Sequence, residues 1–118
     1  MERPKTIFLD IDGTLVKHKP LCENTLPNSK LEILDGTLEK LTEWDLKGYR
    51  IILTTGRKES LRMATENQLN DLGIFYDILI MGIGGGDRIL INDKKSDGRI
   101  TAFAICPDRN TGIKDVNI

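Results

Sequence analysis

The chain has 118 residues, of which 39% are hydrophobic and 30% are charged. This length and balance are typical of one globular domain, and they argue against a disordered or fibrous protein. The 18 acidic and 17 basic side chains leave a net charge of -1, so the chain has no overall positive field that would attract nucleic acid or an anionic membrane. No uncharged stretch approaches the roughly 20 apolar residues that a membrane-spanning helix needs.

The first residues and the scarcity of cysteine and histidine narrow the function further. Residues 1–5 are charged and contain no signal-peptide apolar stretch, so we expect a cytoplasmic protein. Cys22 and Cys106 are too few for a disulfide framework and are predicted to be buried thiols. The single histidine, His18, excludes paired-histidine zinc sites and is predicted to lie at the surface. If the chain is an enzyme, its carboxylates must carry the chemistry.

Short apolar runs alternate with amphipathic stretches along the chain. Leucines at helical spacing predict two helices, and Gly48 and Gly73 stand where helix C-terminal glycines belong. Asp35 is expected to cap the first helix. The predicted strands are 5–9, 49–53, 78–81, 88–91 and 101–105, and the predicted helices are 36–47 and 61–72.

The alternation of strands and helices predicts an α/β fold. We expect a Rossmann-like, doubly wound and mostly parallel sheet with helices on both faces. Residues 1–118 are expected to form a single domain, with a flap over about residues 15–34. In such sheets ligands bind outside the carboxyl ends of the strands.

Polar residues follow three of the predicted strands. They occupy positions 10–14 (DIDGT), 54–57 (TTGR) and 92–97 (NDKKSD). Because the carboxyl ends of parallel strands share one edge of the sheet, these residues are expected to meet in space.

The acids in these segments predict a metal site. Asp10 and Asp12 are two apart on an extended backbone, so their side chains share a face at about 6 to 7 Å. They repel by roughly 2 to 3 kcal/mol at an effective dielectric near 20, and Asp93 adds to the repulsion. Mg2+ suits such oxygen donors and keeps positions free for phosphate oxygens. The sequence therefore predicts a magnesium site and a phosphorylated substrate.

The same segments supply the groups that phosphate chemistry needs. Asp10 is predicted to attack phosphorus as a nucleophile, while Asp12 donates a proton to the leaving oxygen and later takes one from water. Thr55 can donate its hydroxyl to a phosphoryl oxygen, and Gly56 lets the backbone approach the phosphate.

A cation is also expected to balance charge during transfer. Arg88 and Lys58 are both candidates for this cation. Thr14 lies in the segment 10–14 and Arg57 in the segment 54–57, and both are predicted to contact the substrate together with Lys58.

These strings resemble the haloacid dehalogenase superfamily of phosphohydrolases. D-I-D-G-T-L at 10–15, T-G-R at 55–57 and N-D at 92–93 are similar to its first, second and fourth motifs. The resemblance implies an aspartyl-phosphate mechanism, with Asp10 as nucleophile, Asp12 as general acid and base, and Thr55 as phosphate anchor. It also implies Mg2+ held by Asp10, the Asp12 carbonyl and Asp93.

The chain departs from that pattern at two motifs. The third motif is a Lys or Arg, often in a Lys-Pro pair, whereas residues 82–88 read G-I-G-G-G-D-R. Arg88 is the expected counterpart, and Lys58 and Arg62 are the alternatives. In the fourth motif Asn92 precedes Asp93, and Asp97 follows. Asp97 is either a supporting acid or a turn residue.

The intervals between the motifs leave no room for a cap domain. An uncovered site either accepts bulky substrates or is closed by a neighbouring subunit in a homo-oligomer. We expect a small phosphorylated metabolite, such as a sugar phosphate. The alternatives are a non-catalytic phosphate-binding or regulatory domain and a polynucleotide 3'-phosphatase, although the near-neutral charge disfavours nucleic acid.

Overall fold

The computed structural model describes residues 3–118, apart from the side chain of Leu21. Three short strands alternate with two ten-residue helices, and two 3-10 helices lie in the connections. The elements are β1 (Thr6–Asp10), a 3-10 helix (Pro20–Thr25), α1 (Thr37–Leu46), β2 (Arg50–Thr54), a 3-10 helix (Glu59–Leu61), α2 (Arg62–Asp71) and β3 (Ile78–Ile80).

The three strands form one parallel sheet in the order β1-β2-β3. Asp10 lies opposite Thr54, and Thr54 lies opposite Ile80, so the three strands end together. The loops that follow them therefore leave the sheet at the same edge. The predicted parallel α/β class is confirmed, and each of these strands and helices lies within one residue of its predicted bounds.

One face of the sheet carries the core. Each βαβ connection is expected to be right-handed, and strands added in one direction then place both helices on the same face. The core residues agree, because alternate strand residues are buried together with one side of each helix. They include Ile7, Leu9, Ile51, Leu53 and Leu79 from the strands, Leu41 and Trp44 from α1, and Leu69 from α2. Among the described residues, no helix is long and apolar enough to cross a membrane.

The opposite face of the sheet remains partly exposed. Phe8 is 53% exposed, and Ile78 and Ile80 are 43% and 39% exposed. β1 is also an edge strand, and within residues 3–118 no backbone hydrogen bond joins its outer edge to another segment.

The predicted strands at 88–91 and 101–105 are not formed. Residues 87–105, which we call the arm, are irregular, and Ile89 and Ile91 are 82% and 91% exposed. A turn closes the arm, because the Gly98 N–H donates to the Lys95 carbonyl at 2.8 Å. An apolar run becomes a strand only when its backbone pairs with a neighbouring strand, and the arm pairs with none of the three strands although the outer edge of β1 is open.

Two local predictions are also wrong. The residue that caps α1 is Gly36, which has a left-handed φ of 85°, and the Asp35 carbonyl instead accepts the Ile113 N–H at 3.0 Å. Cys22 and Cys106 are both exposed. Cys22 lies in the short 3-10 helix of the flap and Cys106 in the irregular segment that follows the arm, and neither is covered by core side chains.

Replacing Leu41 by alanine tests the core. Leu41 is fully buried in α1, so Leu41→Ala should lower the free energy of unfolding by about 3 kcal/mol. Leu46→Ala in the same helix is the control, since Leu46 is 83% exposed and its loss should cost no more than about 0.5 kcal/mol. Urea unfolding of both variants measures the difference, and equal losses would contradict the assigned core.

Candidate active site

The loop after β1 is folded tightly on itself. The Ile11 carbonyl accepts N–H groups of Leu15 and Val16 at 2.9 and 3.1 Å, and the Gly13 N–H donates to the Val16 carbonyl at 2.7 Å. Gly13 takes a left-handed φ of 94°, which L side chains rarely adopt. This turn holds Asp12 close to the end of β1.

Asp12 is fixed by a buried arginine from the second strand exit. Arg57 donates from Nε to Oδ2 and from Nη2 to Oδ1, each at 2.9 Å, and its side chain is only 5% exposed. The Asn24 amide donates to Oδ1 at 2.8 Å. Nη1 of Arg57 donates to Thr65 and Gln68 on α2 at 3.1 and 2.7 Å. The guanidinium therefore holds Asp12, which differs from the substrate contact predicted for Arg57.

This pairing lowers the pKa of Asp12. Burial of the carboxyl group raises the pKa, but the hydrogen bonds and positive charge of Arg57 outweigh burial. Asn24 and the nearby charge of His18 lower it further. Asp12 is thus a carboxylate whose two oxygens already accept hydrogen bonds.

Asp10 has the opposite shift. The protein atoms packed around its carboxyl group raise its pKa, and the charge of Asp12 adds to the increase. The Ile11 N–H, the charge of Arg88 and the Thr14 hydroxyl, at 3.5 Å from Oδ2, each lower it, but burial prevails. The structure therefore brings Arg88 and Thr14 close to Asp10.

Thr55 and Gly56 lie at the neighbouring strand exit. Thr55 is 2% exposed, and its N–H donates to the Ile80 carbonyl at 3.0 Å. Its hydroxyl oxygen accepts the Arg57 N–H at 3.1 Å, which leaves the hydroxyl proton able to donate. A Cβ on Gly56 would lie 2.7 Å from the Gly84 carbonyl oxygen. Gly56 is thus needed for the glycine-rich loop to pack here.

The alternative cations have different surroundings. Lys58 follows Arg57 in the same loop and is exposed. Arg62 forms ion pairs with Glu59 and Glu66, and its Nη2 donates to the Leu79 carbonyl at 3.1 Å. Arg62 is therefore occupied within the protein, whereas Lys58 faces solvent.

Asp93 does not join the other two acids. It lies in the exposed arm, where its backbone carbonyl accepts the Thr101 hydroxyl, and Asn92 donates to the same hydroxyl oxygen at 2.7 Å. Across residues 3–118, no three Asp, Glu, His or Cys side chains lie close enough to hold a metal ion. Asp97 accepts the Arg99 N–H at 3.0 Å, which is the turn alternative predicted for it.

Sequence reasoning missed the groups that support Asp12 from the flap and α2. Asn24 is 4% exposed and bridges Asp12 to the Lys17 carbonyl at 2.8 Å. Gln68 in turn donates to the Asn24 carbonyl at 2.9 Å. The contacts of Asn24 span 12 and 7 positions and that of Gln68 spans 44, and no local spacing pattern indicates them.

The oxygens left free here suit a hard cation. The Asp12 backbone carbonyl accepts no hydrogen bond from residues 3–118, and the Asp10 carboxylate has only the Ile11 N–H and the long Thr14 contact. A carboxylate and a carbonyl are the donors that Mg2+ prefers, and Mg2+ retains several waters. The residues present fit the predicted metal with two of its three expected ligands.

Comparison with known proteins agrees with this geometry. Residues 7–86 match the family model of the haloacid dehalogenase-like hydrolases. Two relatives are each named a probable D-glycero-D-manno-heptose-1,7-bisphosphate 7-phosphatase. That of Thermoplasma acidophilum is 34% identical over 109 residues, and that of Thermoplasma volcanium is 31% identical over 108 residues. Both matches cover 89% of this chain but only 56% and 62% of the relatives, so the chain spans about three fifths of their length.

Solved structures also resemble this chain. A chain of a Pnkp1/Rnl/Hen1 complex is 29% identical with a TM-score of 0.57, over 73% of this chain and 30% of that one. A second structure, titled an RNA repair complex, is 31% identical with a TM-score of 0.55, over 66% of this chain and 25% of that one. A Vibrio cholerae protein shares the fold at 20% identity and a TM-score of 0.50, over 75% of this chain and 79% of that one.

Arg57→Met tests the buried ion pair. It should destabilise the protein by about 3 kcal/mol at pH 7, because Asp12 is left ionised and partly buried without its main partner. The lowered folded-state pKa of Asp12 stabilises the wild type above the ordinary value near 3.9, and this stabilisation is lost as pH falls through the folded pKa. The gap between wild type and variant should therefore narrow between pH 7 and pH 3.

Arg62→Met is the matched control, since it removes the same charge from an exposed pair and should cost less with little pH dependence. Chemical denaturation across this pH range measures all three proteins. A gap that stays constant with pH, or that is equally large in an Asp12→Asn background, would contradict the coupling.

Proposed function

This chain belongs to the haloacid dehalogenase-like hydrolases, and we propose from this premise that it hydrolyses a phosphomonoester with Asp10 as the nucleophile. The observation that supports the proposal is the difference in hydrogen bonding between two neighbouring acids. Asp10 keeps an oxygen without a strong hydrogen bond, whereas both oxygens of Asp12 are held by Arg57 and Asn24. Only Asp10 is free to attack.

The proposed reaction has two displacements. An Asp10 oxygen bonds to phosphorus while the bond from phosphorus to the leaving oxygen breaks, and protonated Asp12 gives its proton to that oxygen. Water then attacks the aspartyl phosphate, loses a proton to Asp12, and releases phosphate and free Asp10. Arg57 lowers the pKa of Asp12 and occupies both of its oxygens, so Asp12 can take up and donate a proton only when one of the two hydrogen bonds from Arg57 opens.

Thr55 and Lys58 complete the proposed phosphate site. The Thr55 hydroxyl is fixed by the Arg57 N–H and keeps its proton for a phosphoryl oxygen. Lys58 stands in the same loop without burial and supplies positive charge.

Mg2+ would be held by the Asp10 carboxylate, the Asp12 carbonyl and Asp93. When bound, the ion neutralises charge on the phosphate and on Asp10. Asp93 reaches this position if residues 88–91 of the arm add to the open outer edge of β1 in parallel. That pairing covers part of the exposed Ile89 and Ile91 surface and places Asp93 past the end of β1.

The same pairing reassigns Arg88. Five residues of extended chain span about 16 Å, so Arg88 and Asp93 cannot both contact Asp10 when the arm is a strand. We propose that Arg88 acts only when the arm is unpaired, as it is here. Its positive charge then lowers the pKa of Asp10, as a bound metal ion would otherwise do. Lys58, the alternative cation, then serves the transfer step.

The proposed substrate is a sugar phosphate or a similar small metabolite. The names of the Thermoplasma relatives support this class. A second candidate is a phosphate at a polynucleotide end, which the 29% and 31% identity to chains of Pnkp1/Rnl/Hen1 structures favours. Faster hydrolysis of 3'-phosphorylated oligonucleotides than of sugar phosphates would select the second candidate.

Asp10→Asn tests the nucleophile. With p-nitrophenyl phosphate and Mg2+, the variant should lose at least about a thousandfold in kcat, because an amide cannot form the phosphoenzyme. Asp71→Asn, at the exposed end of α2, removes the same charge away from the site and should retain turnover. A fully active Asp10→Asn enzyme would refute the assignment.

Asp93→Asn tests the metal ligand. The Mg2+ concentration for half-maximal turnover should rise at least about tenfold, since one anionic ligand is lost. Asp97→Asn in the same arm is the control and should leave the Mg2+ requirement unchanged, because Asp97 belongs to a turn. Arg88→Gln should not raise the Mg2+ requirement; a large loss of kcat in that variant would instead assign Arg88 to the transfer step.

A further inference from the structure

After the arm, the chain returns to the loop that follows β1 (residues 11–16), which we call the acid loop. The Asn110 N–H donates to the Gly13 carbonyl at 2.9 Å. The Asn110 side chain also clamps His18, because Oδ1 accepts the His18 N–H at 2.7 Å and Nδ2 donates to the His18 carbonyl at 3.3 Å. Asn110 has a φ of 66°, an uncommon backbone state that this clamp supports. The preceding residue, Arg109, is thereby fixed beside the loop.

The aliphatic part of the Arg109 side chain packs against Gly13. A Cβ on Gly13 would lie 3.3 Å from Cγ and 3.9 Å from Cδ of Arg109. Gly13 directly follows Asp12, so the arginine stands at the rim of the acid loop. Arg109 is exposed, and it forms no salt bridge with any residue in 3–118.

Arg109 differs in this respect from the arginines that the site already uses. The guanidinium of Arg57 is hydrogen-bonded to Asp12 and to α2, and the guanidinium of Arg62 forms ion pairs with Glu59 and Glu66. A guanidinium is a planar donor that suits phosphate and carboxylate groups, and an anchored stem reduces the entropy lost on binding. The Arg109 side chain lies beside Gly13, one residue after Asp12.

We propose that Arg109 binds a second anionic group of the substrate, the distal phosphate of a sugar bisphosphate. This inference rests on the proposed phosphatase function and names the substrate class. Arg109 would contact the part of the substrate that leaves with the sugar, while the reacting phosphate lies at Asp10. The backbone of His18 is held beside the same loop by Asn110, so the position of Arg109 at this rim is fixed by contacts on both sides of Gly13.

Arg109→Met and Arg109→Lys test the proposal. Fructose 1,6-bisphosphate and fructose 6-phosphate compete with p-nitrophenyl phosphate, and the measured quantity is the ratio of their inhibition constants. Methionine keeps an aliphatic stem over Gly13 but loses the charge, so the preference for the bisphosphate should fall about tenfold. Lysine should restore part of the preference. Arg50→Met, at the exposed amino end of β2, should leave the ratio and the basal turnover unchanged.

The outcomes separate this inference from the proposed function. An unchanged ratio in Arg109→Met, or an equal rise of both constants, would overturn the role of Arg109 while phosphatase activity stands. No hydrolysis by the wild type would overturn the proposed function. Calorimetric titration of the same proteins with the two sugar phosphates then measures the binding preference directly, and loss of the preference in Arg109→Met supports the rim site without turnover.

Discussion

The ion pair between Asp12 and Arg57 is the contact on which the site depends. It joins the exit of β1 to the exit of β2, and Arg57 extends the link to Thr65 and Gln68 on α2. Burying two charges is costly, and attraction repays that cost only when the geometry is good and the remaining donors are satisfied. Here four guanidinium hydrogen bonds run to three partners. The pair contributes more to the position of the acids than to net stability.

The two acids differ because their surroundings differ. The protein atoms packed around the carboxyl group raise the pKa of Asp10, while Arg57 lowers the pKa of Asp12 although Asp12 is partly buried. A fold assigns different roles to chemically identical groups in this way, by separating their environments. The proposed mechanism assigns the attack to Asp10, which has fewer hydrogen bonds to give up than Asp12. In the opposite assignment the attacking oxygen would be one that already accepts a hydrogen bond from Arg57.

The sequence predicted the regular elements and the edge where the site lies, but not how its side chains pair. Periodicity and glycines such as Gly48 mark where helices end, because these signals act over a few residues. The parallel order then brings Asp10 and Thr55 to one edge. The partner of Arg57 was missed, since a contact across 45 positions leaves no local pattern. The apolar run at 88–91 indicates that these side chains would be more stable when buried. It does not indicate which strand they would pair with.

That run also explains the shape of the molecule. The radius of gyration is 15.0 Å, whereas a compact domain of this length has about 13.5 Å, and the arm exposes apolar side chains including Ile91. The open outer edge of β1 has unpaired backbone groups, and the arm has exposed apolar side chains. Pairing of the arm with β1 would satisfy the first and cover part of the second. Adding the arm to β1 would replace Arg88 beside Asp10 with Asp93. The charge near the nucleophile would then change from positive to negative, and a divalent cation is what balances that change. With Asp93 as the proposed ligand, metal binding would accompany the pairing of the arm with β1.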